Sequence, residues 1–194
     1  MKVESQDSEP VTRRKDGQIW RIGGEAEVTW IAEATTVTLA ITSAVPPIFD
    51  AYATIVLDEE DQQGTQDRLI VQLLSEHSPT QPWWLGYLDT GASDIVFPDA
   101  PQVTVYASWR YVLVQAGPDE AITWREATSA WHGSLPDLLF PADQSWLLST
   151  LWDDDWRCLG GPAALVDSFV HEPRLDSRRV STDEDATPPG HITR

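Results

Sequence analysis

A chain of 194 residues with 31 acids against 13 cations has a formal net charge of −18, which repels nucleic acid and anionic membrane and attracts basic surfaces. The surplus belongs to the part that folds: residues 19–171 hold 22 acids and five cations, while residues 1–18 and 172–194 nearly cancel. A single cysteine, Cys158, excludes an internal disulfide and a thiolate-rich zinc site, and no apolar run approaches the ~20 residues of a membrane helix.

Composition divides the chain into a flexible polar arm over 1–18, an acidic globular domain over 19–171 and a disordered charged tail over 172–194. The arm carries Arg13, Arg14 and Lys15 beside four acids and lacks the apolar stretch of a secretory signal, so the expected compartment is the cytoplasm. Arginine outnumbers lysine eleven to two, a usage that suggests a GC-rich bacterial genome. Ten tryptophans (Trp20, Trp30, Trp83, Trp84, Trp109, Trp124, Trp131, Trp146, Trp152 and Trp156) imply a packed interior with anchors for indole N–H groups, or in part an interface.

In chain order, residues 18–22 and 26–31 read as short strands separated by Gly23 and Gly24. Val37, Leu39 and Ile41 alternate with threonine and alanine and predict another strand, with a helix as the alternative. Pro46 and Pro47 suit a helix start, with Ile48, Tyr52, Ile55 and Val56 at helical spacing. After the acidic run Asp58-Glu59-Glu60-Asp61 and Gly64, a second helix is capped by Thr65, lays Leu69, Ile70, Leu73 and Leu74 on one face, and ends near His77 and Pro79. His77, in its last turn, complements the helix dipole.

Strand-like segments follow at 83–88, 103–108, 111–115, 146–152 and 156–159, with a short helix over 119–128. Gly160, Gly161 and Pro162 introduce a closing helix over 163–170. Strands mixed with segregated helices and no βαβ rhythm predict an α+β fold: a single domain with a mostly antiparallel sheet, three to four helices and disordered termini.

Two motifs carry candidate chemistry. Asp89-Thr90-Gly91-Ala92-Ser93 follows an apolar strand and precedes Ile95, Val96, Phe97 and Pro98. It resembles the active-site stretch of aspartic proteases, whose two aspartates share one proton and divide the acid and base roles. With one copy in the chain, the resemblance implies a homodimeric, retropepsin-like enzyme with Asp89 catalytic and Thr90 and Gly91 beside it. Cys158-Leu159-Gly160 would stand for the later apolar-apolar-Gly element. Two upstream helices and the lack of a glycine-rich flap between Ser93 and Leu159 depart from that family, and the plainer reading is a tight connection with Gly91 supplying an awkward backbone angle.

The second motif is Asp153-Asp154-Asp155 between Trp152 and Trp156. Adjacent carboxylates resemble the Asp-x-Asp metal contacts of sugar-nucleotide transferases, but no phosphate-cradling glycine loop accompanies them. Read as local structure, the segment is a three-residue hairpin turn with Trp152 and Trp156 facing each other across the ladder. Such a stiff acidic tip suits a basic patch, and Asp58, Glu59, Glu60 and Asp61 offer a comparable cluster. His132, His171 and His191 lack metal-ligand spacing, and Ser93 lacks the second glycine of a hydrolase elbow. No metal or cofactor is expected.

The order 145–150, acidic turn, 156–161 and then helix is loosely similar to the C-terminal ends of bacterial immunity-type and uncharacterised actinobacterial proteins, over residues 145–170. The resemblance implies a small cytoplasmic α+β protein that neutralises a toxin by steric and electrostatic occlusion. The residues themselves favour a non-enzymatic binding module. It would dock a basic protein surface, a toxin or a nucleic-acid-handling protein, with no direct nucleic-acid or membrane contact, through Asp153, Asp154, Asp155, Trp152, Trp156 and the 58–61 cluster. Alternatives are the Asp89 protease and a structural subunit of a larger assembly; neither oligomeric state nor whether the acidic clusters share a face is legible.

Overall fold

The computed structural model describes residues 11–13, 17–90, 97, 100–123, 135–151 and 154–192, with Glu60 and Asp61 described through their backbone alone. Their strands are β1 (Val11–Arg13), β2 (Ile19–Ile22), β3 (Ala51–Val56), β4 (Trp83–Leu88), β5 (Gln102–Val105), β6 (Trp109–Ala116), β7 (Leu138–Pro141), β8 (Leu147–Ser149), β9 (Trp156–Gly161) and β10 (Ser177–Val180). The helices are α1 (Glu25–Ala32), α2 (Glu60–His77), α3 (Pro118–Thr123) and α4 (Ala163–Val170). All pairings are antiparallel, in one sheet ordered β1-β2-β6-β4-β7-β8-β9-β3-β10, with β5 beside β2 on the same edge of β6. This is the single α+β domain the composition predicts.

Both faces of the sheet are covered. On one, α2, α3 and α4 bury Leu69, Ile70, Leu74, Leu165 and Phe169 against Ile55, Trp83, Leu85 and Trp146. On the other, α1 and the chain around a 3-10 turn at Ile41–Ser43 bury Val28, Ile31, Ile41 and Val45 against Trp84, Leu113, Phe140, Trp156 and Cys158. The pleat separates neighbours, so Trp83 joins the first core and Trp84 the second, and along β9 Cys158 and Leu159 divide likewise.

That double cover explains where the sequence misleads. Central strands buried on both faces lose their alternation. Residues 51–56, expected in a helix launched by Pro46 and Pro47, form β3, paired with β9 on one side and β10 on the other. Residues 26–31, expected as a strand, are instead α1. The Gly24 N–H donates to the Glu27 carboxylate at 2.8 Å, Glu25 and Glu27 favour the positive end of the dipole, and Val28 and Ile31 are buried at i, i+3 spacing. Of Val37, Leu39 and Ile41, only Ile41 is buried; Val37 is 88% exposed and no strand forms there.

The second helix has the predicted apolar face but begins at Glu60, five residues before Thr65, which lies inside it. β4 and α4 occupy the predicted ranges; β8 is shorter than 146–152, and α3 is described only to Thr123. The largest departures lie outside the expected domain. β1, in the presumed arm, pairs with β2. Part of the presumed disordered tail is ordered: β10 pairs with β3 and Leu175, Val180 and Ala186 are buried. An edge strand needs few apolar residues once a neighbour supplies its backbone partners, so composition alone conceals it.

Candidate functional site

β3 lies between β9 and β10, and at one end of these three strands the acidic segments converge. The Leu57 N–H donates to the Asp155 carbonyl at 2.9 Å, and the Val56 N–H to the Asp176 carbonyl at 2.8 Å. Asp58 and Glu59, which lead into α2, therefore sit beside Asp154 and Asp155, which lead into β9, and Asp176, which leads into β10. Adjacent strands are ~4.8 Å apart, so the three segments span about 10 Å, close to one Debye length at physiological salt, and their fields add. Glu59, Asp155 and Asp176 are exposed; Asp58 and Asp154 are half-buried. Burial holds the Asp58 carboxyl above its ordinary range, against the pull of Arg157 and with help from Asp176 and Asp67.

Two acidic clusters nearly a hundred residues apart in sequence thus share one end of the sheet, and Asp176, absent from the predicted set, joins them. The expected three-residue hairpin is corrected. Pairing of β8 with β9 stops at Ser149↔Cys158, well before the acidic run, so the ladder does not close on a three-residue turn at 153–155. Trp156 does not stand at a tip: it is 3% exposed in the core beneath α1, its ring 6.2 Å from that of His191. Trp152 and Asp153 lie outside the described residues.

A buried polar network lies under this acidic end. Arg157 and Asp67 form an ion pair at 2.7 Å, with side chains 4% and 0% exposed. Gln66 donates from Nε2 to the Val56 carbonyl at 2.8 Å, and the Leu135 N–H donates to Asp67 Oδ2 at 3.3 Å. α2 is thereby fastened to β3 and β9 where the acidic segments leave the sheet. Sequence reasoning missed this pair, although a signal existed: Asp67 precedes Ile70, Val71 and Leu74 by three, four and seven residues, so it lies on the inward face of α2.

On the opposite face of β9 a cavity of about 270 Å³ opens beside Asp154, walled by Trp109, Trp156, Tyr106, Leu39 and Cys158. Tyr106, Ala107 and Ser108 all have positive φ (36°, 39° and 76°), a backbone strain in non-glycine residues that anchoring must offset. The Tyr106 hydroxyl provides an anchor, donating to the Ala44 carbonyl at 2.8 Å and accepting from Ser149 Oγ at 2.9 Å. Burial raises that hydroxyl well above its ordinary value, and burial followed by the charge of Asp154 pushes the Cys158 thiol up to about 12, so the thiol stays protonated and unreactive.

Asp89 immediately follows β4. Its N–H donates to the Arg110 carbonyl at 2.8 Å, and its carboxylate accepts a hydrogen bond from the Gln102 amide. Thr90 is exposed and Gly91 lies outside the described residues. Cys158-Leu159-Gly160 is on β9, three strands away in the order β4-β7-β8-β9, roughly 14 Å at sheet spacing. The two elements of the protease resemblance are not brought together. His77 is exposed at the end of α2, and His171 Nδ1 donates to the Asp167 carbonyl at 2.8 Å. Among the described residues, no group of three His, Cys, Asp or Glu side chains converges closely enough to hold a metal ion. No described helix is long and apolar enough to cross a membrane.

No protein-family model, curated protein or solved structure matches the chain.

Proposed function

We propose that this is a non-enzymatic, cytoplasmic binding protein that docks a basic protein surface, in the manner of an inhibitor or immunity protein, through the acidic end formed by Asp58, Glu59, Asp154, Asp155 and Asp176. The observation that carries the reading is the backbone hydrogen bond from Leu57 to Asp155, which joins two remote acidic runs into one patch on a chain of net charge −18. A patch of one sign raises encounter rates with a cationic partner by about 10- to 1,000-fold and makes association sensitive to salt. The partner class is a toxin or a nucleic-acid-handling protein, whose own substrate demands a basic surface. The network of Arg157, Asp67 and Gln66 supports this by holding the acidic segments in a preset arrangement, which lowers the ordering cost of binding.

The test begins with capture of partners from native lysate at low and high salt, followed by stopped-flow association with a captured basic protein. Reversing Asp58, Glu59 and Asp155 to lysine should slow association about tenfold or more while the circular dichroism of the free protein is unchanged. An association rate indifferent to the triple reversal refutes the reading.

A further inference from the structure

The cavity between α1 and β9 has a composition that selects its occupant. Its walls are mainly apolar and aromatic, Trp109, Trp156 and Tyr106 among them, and the acid that lines it is Asp154. At about 270 Å³ it lies just below the ~300–1,000 Å³ of pockets for drug-sized ligands, so it suits one long side chain better than a cofactor. Its rim is apolar where Val37, 88% exposed, and Leu39, 56% exposed, line it.

We infer that this cavity is the socket for an arginine side chain of the basic partner. The inference rests on the docking function proposed above and names its anchor. An arginine suits this lining: its aliphatic stem matches Leu39 and Leu151, and its planar, weakly hydrated guanidinium suits a space bounded by Trp109, Trp156 and the acid Asp154. The charge complementarity is local as well as global, because the Asp154 charge is felt inside the cavity at the Cys158 thiol. Asp154 is also the residue before Asp155, whose carbonyl is bonded to Leu57, so the socket adjoins the acidic patch and one partner covers both. Long-range steering by the patch and a desolvated anchor in the socket are complementary: charge sets the on-rate, and the buried cation slows release.

The test uses the full chain and N-acetyl-arginine N-methylamide, with the neutral citrulline analogue as control. Indole N–H signals, assigned through Trp109→Phe and Trp156→Phe, report occupancy by NMR. The expected result is saturable perturbation of the Trp109 and Trp156 signals by the arginine amide, little response to citrulline, and about tenfold weaker binding in Asp154→Asn. Equal binding of citrulline, or no change at Trp109 and Trp156 at the highest soluble concentration, overturns the inference. The two proposals fail separately. Should the Asp58, Glu59 and Asp155 reversal slow docking while the amide leaves the cavity untouched, the socket is wrong and the patch stands; should the amide bind as described while the reversal changes nothing, the patch is wrong and the socket stands.

Discussion

Replacing Arg157 by methionine tests whether the acidic end rests on a buried ionic foundation. At 2.7 Å and an effective dielectric of ~20, the gross attraction between Arg157 and Asp67 is about 6 kcal/mol, and desolvating each ion costs several kcal/mol, so the pair is nearly neutral in net terms. Losing one partner is different, because Asp67, with a fully buried side chain, keeps its desolvation cost without its counter-ion. Arg157→Met should therefore destabilise the fold by about 3–5 kcal/mol, a fall in Tm of roughly 6–20 °C for a chain of this size. The double variant Asp67→Leu with Arg157→Met removes both charges and leaves the Leu135 N–H without its acceptor, so it should lie within about 1–3 kcal/mol of the parent. Urea unfolding followed by tryptophan fluorescence gives the cycle, whose coupling should exceed about 2 kcal/mol. Additive single losses, or an Arg157→Met variant as stable as the parent, would refute the claim that the two charges depend on each other.

Three further outcomes follow from the same structure. A Cβ at Gly160 would stand 2.5 Å from Val45 Cγ1 and 2.6 Å from Phe49 Cδ2, so Gly160→Ala should cost about 1–3 kcal/mol in chemical denaturation. Gly64, inside α2 with open space around it, has the opposite sign: Gly64→Ala should stabilise by about 0.5–1 kcal/mol. The Asp58 carboxyl is raised in the folded state, so the native protein binds its proton more readily than the unfolded chain does. Ionised Asp58 therefore detracts from stability above its folded pKa, and this cost disappears as pH falls through that value towards its ordinary 3.8. Asp58→Asn should be the more stable protein near neutrality, with the difference closing in acid; denaturation midpoints across pH that diverge as pH falls contradict the assignment.

Amino-acid order alone determined whatever depends on neighbours within one element. The apolar face of α2 shows in the spacing of Leu69, Ile70, Leu73 and Leu74; Pro162 announces α4; and the run from Trp83 to Leu88 has no plausible state but strand. The acidic excess and its restriction to the folding body are likewise written in composition. Two features of the fold required the tertiary structure. β3 reads as a helix until β9 and β10 flank it and both of its faces are buried, because burial on two sides erases the period of two. β10 reads as tail, since its backbone partners are on a strand more than a hundred residues earlier.

The candidate site follows the same division. Asp58, Glu59, Asp154 and Asp155 were legible as acids, yet only the β3–β9 ladder makes them neighbours, and only β10 adds Asp176. The Arg157–Asp67 pair beneath them and the cavity beside Asp154 are made by side chains from separate elements meeting in space. Local periodicity is set by the chain's own geometry and survives in any one-dimensional reading. Register, layer and enclosure are relations between remote segments, which no window of sequence contains.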